Sequence, residues 1–141
     1  MSAGYSGTPL AKKLGISEGA VVATIDAPDH FRDLLDPVPP EVEFRGDLRA
    51  RADVVVLFTT SRRTLEKRLT AAGRAIFPAG GFWVVWPKRS SGVSTDMTET
   101  VVRDVALPVG LVDNKVCAID DTWSGLRVVW RKELRSSSRP T

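Results

Sequence analysis

Apolar runs alternate along the chain with stretches of helical spacing. Residues 20–25 (AVVATI), 53–58 (DVVVLF) and 81–86 (GFWVVW) are Val-rich and almost continuously apolar. Such runs predict strands covered on both faces. Residues 42–45 form a shorter, more polar run, which predicts a strand towards a sheet edge. After Ser61, a good N-cap, Leu65, Leu69, Ala72 and Ile76 recur on one helical face, and Pro78 stops the helix. Asp96 and Glu99 stand in capping-box spacing, with Asp in place of the usual Ser or Thr. Met97, Val101 and Val105 then make a stripe that ends at Pro108 and Gly110. A short helix is expected within residues 29–35, before Pro37, Pro39 and Pro40.

The end of the chain changes style. Residues 115–120 (KVCAID) and 126–132 (LRVVWRK) predict two strands, and the Gly-ended link 121–125 (DTWSG) has hairpin length. The first of these strands should run parallel to the earlier ones and the last antiparallel. The fold class expected is α/β: a three-layer, open, mostly parallel sheet of truncated Rossmann type, ending in an antiparallel hairpin. Residues 1–135 should form one domain, and the tail 136–141 (SSSRPT) should be disordered.

Composition narrows the class. With 43% hydrophobic and 26% charged residues the chain is globular in balance. One cysteine, Cys117, excludes an internal disulfide and suits a reducing cytoplasm. The N-terminal stretch has no apolar leader core and no run is long enough to cross a bilayer, so a soluble cytoplasmic protein with no membrane partner is expected. A formal net charge of +3, with cations crowding residues 127–139, falls short of the dense basic stripe of a nucleic-acid binder. No nucleic-acid partner is therefore expected.

Open parallel sheets bind ligands beyond the carboxyl ends of their strands. That edge would gather Asp26 and Asp29 after the first strand, Lys88, Arg89 and Ser91 after the third long strand, and Asp120, Asp121 and Trp123 at the hairpin. Asp113 and Asn114 would fall at the opposite edge. In the stretch 86–99 (WPKRSSGVSTDMTE), two cations and a small-residue loop containing Thr95 precede a helix start, a setting that suits a phosphate or carboxylate. Asp96 at the cap opposes this, because it supplies the negative charge itself; a plain capped loop is the competing reading. Trp123 either packs over the sheet edge or walls a pocket. Trp83 and Trp86 should face opposite sides of the sheet, both in the core. His30 neighbours a different loop from Cys117, so no catalytic residue is assigned, and one His with one Cys leaves no basis for a zinc site. A magnesium ion on Asp26, Asp120 and Asp121 is outweighed by an ordinary acidic turn, and no metal is expected.

The order of segments GAVVATIDAP, ADVVVLF and FPAGGFWVVWPK, then a helix and a closing hairpin, resembles a cut-down class I methyltransferase. That family cradles S-adenosylmethionine with a glycine-rich turn after its first strand. Here the turn is Asp26-Ala27-Pro28-Asp29, without glycine, and no cofactor-binding residue carries over. The segments AKKLGI, ADVVVLF, FWVVWPK and GLVDNKVCAIDDTWSGLRVV also resemble a family of small bacterial proteins described as a domain of unknown function (DUF3052-like). Ala, Arg and Val usage suits a GC-rich actinobacterium. The leading expectation is a non-catalytic binding or accessory protein for an anionic small molecule, held by Lys88, Arg89, Ser91, Thr95 and Trp123 with Asp26 and Asp120 nearby. Its rivals are a degenerate S-adenosylmethionine-dependent methyltransferase and a protein–protein adaptor working through the C-terminal hairpin.

Overall fold

The computed structural model describes residues 8–136. The expected tail thus lies, except for Ser136, outside the described residues. In chain order the elements are α1 (Leu10–Lys13), β1 (Val21–Ile25), α2 (Phe31–Leu34), β2 (Glu43–Arg45), β3 (Val54–Phe58), α3 (Arg62–Ile76), β4 (Gly81–Pro87), α4 (Glu99–Ala106), β5 (Leu111–Ala118) and β6 (Trp123–Trp130). The strands form one sheet in the order β2-β1-β3-β4-β6-β5. β2, β1, β3 and β4 pair in parallel, whereas β6 is antiparallel to both β4 and β5. β5 therefore runs in the same direction as β4, and the mostly parallel sheet with a closing hairpin stands as the sequence predicts.

Side chains alternate between the two faces of a strand, so continuous apolar runs feed two cores. Val22, Val54, Val56, Phe58, Trp83 and Val85 face one side, where Ala11, Leu14, Phe31 and Leu35 cover them. Ala23, Ile25, Val55, Leu57, Phe82, Val84 and Trp86 face the other, under Leu65, Leu69 and Ile76 of α3 and Val102 and Val105 of α4. Trp83 and Trp86 thus point to opposite cores, as their three-residue spacing requires. Trp83 is fully buried, and its indole Nε1 donates to the Leu14 carbonyl at 3.0 Å, tying the first helix to the centre of the sheet.

Three local expectations are corrected. β5 begins at Leu111, because Leu111 pairs with Trp130 and extends the hairpin; Asp113 and Asn114 lie inside the strand, at a bulge between Asp113 and Lys115, and not in a loop at the opposite edge. β6 begins at Trp123, so this residue is a strand residue opposite Pro87 and not part of the turn. Helix α4 starts later than the capping-box spacing implies: Thr98 is its N-cap, its hydroxyl accepting the Val101 N–H at 3.1 Å. The buried stripe accordingly runs through Val102, Val105 and Ala106, with Met97 buried just ahead of the helix.

Trp83→Phe removes the indole donor, leaves the Leu14 carbonyl unpaired in the core and opens a small void. It should lower stability by about 1–3 kcal/mol, read from the urea midpoint at unchanged slope.

Candidate functional site

Strand order reverses direction between β1 and β3, since β2 lies to one side of β1 and β3, β4 and the hairpin to the other. The crevice at such a switch point is where open α/β sheets ordinarily bind. Here aromatic contacts bridge it on one face, and on the other the loops after β3 and β4 are tied to each other. On the α1–α2 side, Phe31 packs edge-on against Phe58 with ring centroids 4.9 Å apart, and Phe58 packs edge-on against Trp123 at 5.1 Å. Trp123 thus packs over the sheet edge. On the α3–α4 side, the Thr60 carbonyl accepts both the Thr95 hydroxyl at 2.7 Å and the Asp96 N–H at 3.3 Å. Asp96 Oδ1 in turn accepts the Arg62 N–H at 2.8 Å. Asp96 therefore serves the N-terminus of α3, not of α4, and its charge complements the positive end of that longer helix.

This pinning leaves an open cavity of about 550 Å³ farther along the sheet, beyond the carboxyl end of β4. Lys88, Arg89, Thr95, Thr98, Glu99 and Ser124 give it polar walls, over Trp86 and Met97. Among the described residues neither Lys88 nor Arg89 has an ion-pair partner. The one carboxylate lining the cavity, Glu99, is engaged by Arg103 at 2.9 Å. Ser91 does not line the cavity. Its hydroxyl donates to the Lys88 carbonyl at 2.7 Å and accepts the Val93 N–H at 3.2 Å, shaping the turn that carries the two cations.

The predicted site residues therefore split. Lys88, Arg89 and Thr95 share the cavity. Asp26, Asp120 and Trp123 do not line it; Asp120 and Trp123 are joined with His30 at the other part of the edge. His30 Nε2–H donates to Asp120 Oδ2 at 2.9 Å, and Asp120 Oδ1 accepts the Thr122 and Trp123 N–H groups, each at 2.8 Å. Burial alone pushes the Asp120 carboxyl up, but the His30, Trp123 and Thr122 hydrogen bonds outweigh it and hold the group below the ordinary aspartate value. His30 was not a sequence candidate, because its partner lies ninety positions away (|i−j|=90). Cys117 is buried, and burial pushes its thiol up, which suits a core residue and not a nucleophile. Among the described residues no group of three or more His, Cys, Asp or Glu side chains is placed to hold a metal ion, and no helix is long and apolar enough to cross a membrane.

No protein-family model matches the sequence, and no curated protein matches it significantly. Solved structures do match. A SAM-dependent methyltransferase from Aquifex aeolicus superposes with a TM-score of 0.59 at 13% identity, over 83% of this chain and 85% of that one. A putative type 11 methyltransferase from Sulfolobus solfataricus gives 0.59 at 10% identity, over 94% and 95%. The fold is methyltransferase-like. Magnesium protoporphyrin IX methyltransferase from Synechocystis, solved with bound SAH, gives 0.56 at 9% identity, over 86% and 78%. Identities this low establish the common fold alone.

A methyltransferase-like fold implies S-adenosylmethionine, and the turn after β1 is where its cradle would form. The residues present do not fit it. Asp26 carries a side chain at φ 58, Pro28 has no N–H, and the Pro28 carbonyl is taken by the Phe31 N–H at 3.0 Å. The helix that follows is the four-residue turn α2, whose Phe31 is buried against Phe58.

Because Asp120 titrates lower in the folded chain than in the unfolded one, its contribution is fully present above the unfolded value of about 3.9 and is lost as pH falls through the folded one. Asp120→Asn should therefore be less stable than wild type at neutral pH, with the gap in urea midpoint narrowing below about pH 4. A gap independent of pH would show that the carboxylate charge plays no part.

Proposed function

We propose that this chain is a binding protein for an anionic small molecule, held in the cavity beyond β4, on a methyltransferase-like scaffold whose usual crevice is filled by its own side chains. One observation carries the reading: Lys88 and Arg89 line a cavity of about 550 Å³, and among the described residues no carboxylate pairs with either of them. Its size falls within the ordinary range for small-ligand sites. Partly exposed cations without counter-ions gain most from a carboxylate or phosphate, which accepts charge-assisted hydrogen bonds from both. The hydroxyls of Thr95, Thr98 and Ser124 offer further donors. Relocating Asp96 to α3 removes the nearest objection, since Thr98, a neutral residue, caps the helix beside the cavity. A reducing cytoplasm is the compartment proposed, where a lone cysteine stays a thiol.

Thermal-shift screening against carboxylates, phosphates and nucleotides tests this. The expected result is a ligand that raises the melting temperature, with Lys88→Ala and Arg89→Ala each weakening it roughly ten-fold. No shift from any anion, or a ligand indifferent to both substitutions, would sink the reading.

The second reading, methyl transfer, draws on fold similarity to SAM-dependent methyltransferases. The closed turn after β1 speaks against it. Calorimetric titration with S-adenosylmethionine should give no saturable heat up to millimolar cofactor; a saturable isotherm would favour the enzyme.

A further inference from the structure

The hairpin brings together cations that are scattered in the sequence. Lys115 of β5 stands directly opposite Arg127 of β6, on the face that also carries Trp83, the partner of Arg127 on β4. Cross-strand neighbours in this position are within about 5 Å at Cβ, where like charges destabilise the sheet. Two more cations flank the pair. Lys13 of α1 adjoins Leu14, whose carbonyl accepts the indole N–H of Trp83 on this face, and it acts on the thiol of Cys117, two residues along β5 from Lys115. Arg135, just after β6, donates to the Trp130 carbonyl at 2.9 Å and acts on Arg127. Burial and Arg135 both push the Arg127 guanidinium down from its ordinary value.

Among the described residues no carboxylate forms an ion pair with Lys13, Lys115, Arg127 or Arg135. Residues 1–7 and 137–141 contain no Asp or Glu. Asp53, whose carbonyl accepts the Gly81 N–H, turns its carboxylate to the Val21 N–H at 2.8 Å. Asp113 pairs with Arg103 at 3.1 Å. The Arg127 guanidinium is also seated: it lies over Gly81, where a Cβ would collide with its Nε. A half-buried arginine fixed over a glycine and set against a lysine costs stability that a bound anion would restore.

We propose that this face of the β5–β6 hairpin is an anion site separate from the β4 cavity, and that its ligand is a linear oligophosphate held by Lys13, Lys115, Arg127 and Arg135. Arg135 is held at the Trp130 carbonyl, three residues along β6 from Arg127, so the cations are spread over about 10 Å of strand. A single phosphate is too short to meet them, and a chain of phosphates matches them charge for charge.

Calorimetry with magnesium-free tripolyphosphate at low salt tests the site, using the Lys88→Ala/Arg89→Ala double variant so that the β4 cavity takes no part. Binding should persist in that background. Adding Lys115→Glu should weaken it at least about ten-fold, because one attraction becomes a repulsion. Lys115→Glu alone should raise the melting temperature of the ligand-free protein by about 1–4 °C, since it converts a like-charge cross-strand pair into an opposite-charge one. Orthophosphate at matched ionic strength should bind at least about ten-fold more weakly than tripolyphosphate. The proposal is overturned by absent tripolyphosphate binding, by binding that Lys115→Glu leaves unchanged, or by binding lost with Lys88 and Arg89. A single-stranded oligonucleotide that outcompetes tripolyphosphate with the same Lys115 dependence would overturn the small-ligand assignment in favour of nucleic acid.

Discussion

The backbone carbonyl of Thr60 decides where this molecule is open. Placed just beyond the end of β3, it accepts the Thr95 hydroxyl and the Asp96 N–H, while the Asp96 carboxylate reaches on to the first N–H of α3. Two helices and a strand end are thereby joined through a loop of small residues. Because the loop is bolted down at Thr95 and Asp96 beside the end of β3, α4 begins only after its N-cap, Thr98. The space that remains lies beyond β4, under Lys88 and Arg89.

The opposite face of the same edge is closed by different chemistry. Phe31, Phe58 and Trp123 pack edge to face in a chain, and His30 and Asp120 join the loop after β1 to the hairpin above that chain. Aromatic packing supplies apolar contact, and the His30–Asp120 hydrogen bond with the backbone hydrogen bonds to Asp120 fixes the ends. The sheet has the methyltransferase-like order, and Phe31 and Phe58 pack together beside the end of its first strand. The open cavity lies sideways along the edge, beyond β4.

The strands and α3 were legible because burial on both sides leaves an uninterrupted apolar run, and an amphipathic helix leaves a periodic one. Trp83 and Trp86 could be assigned to opposite faces from strand periodicity alone. Asp96 illustrates the limit: its spacing from Glu99 fits a capping box, yet it caps a helix that starts thirty-four residues earlier (|i−j|=34). Local spacing shows that a residue can cap and is silent on which free N–H comes within reach. The pairing of His30 with Asp120 was hidden for the same reason, as was the charge conflict between Lys115 and Arg127, which depends on a register that the bulge at Asp113 shifts by one residue. Asp113 and Asn114 read as loop because an outer strand, half open to solvent, breaks the apolar pattern that marks the inner ones. Of the candidate site, the cations after β4 were legible, since a strand end fixes its own next residues. The grouping of the loops was not.

The position of β6 has a further consequence, for the order in which the chain is assembled during synthesis. β6, made after β5, is inserted between β4 and β5, so among the described strands β5 has no neighbour in the sheet until β6 has left the ribosome. The four parallel strands and α3 can collapse earlier. β4 meanwhile waits with one hydrogen-bonding edge bare, and the apolar side chains that β6 will cover stay exposed, a state open to misassociation. Closure of the sheet, and with it the facing of Lys115 by Arg127 and of His30 by Asp120, is therefore a late event that depends on the final strand.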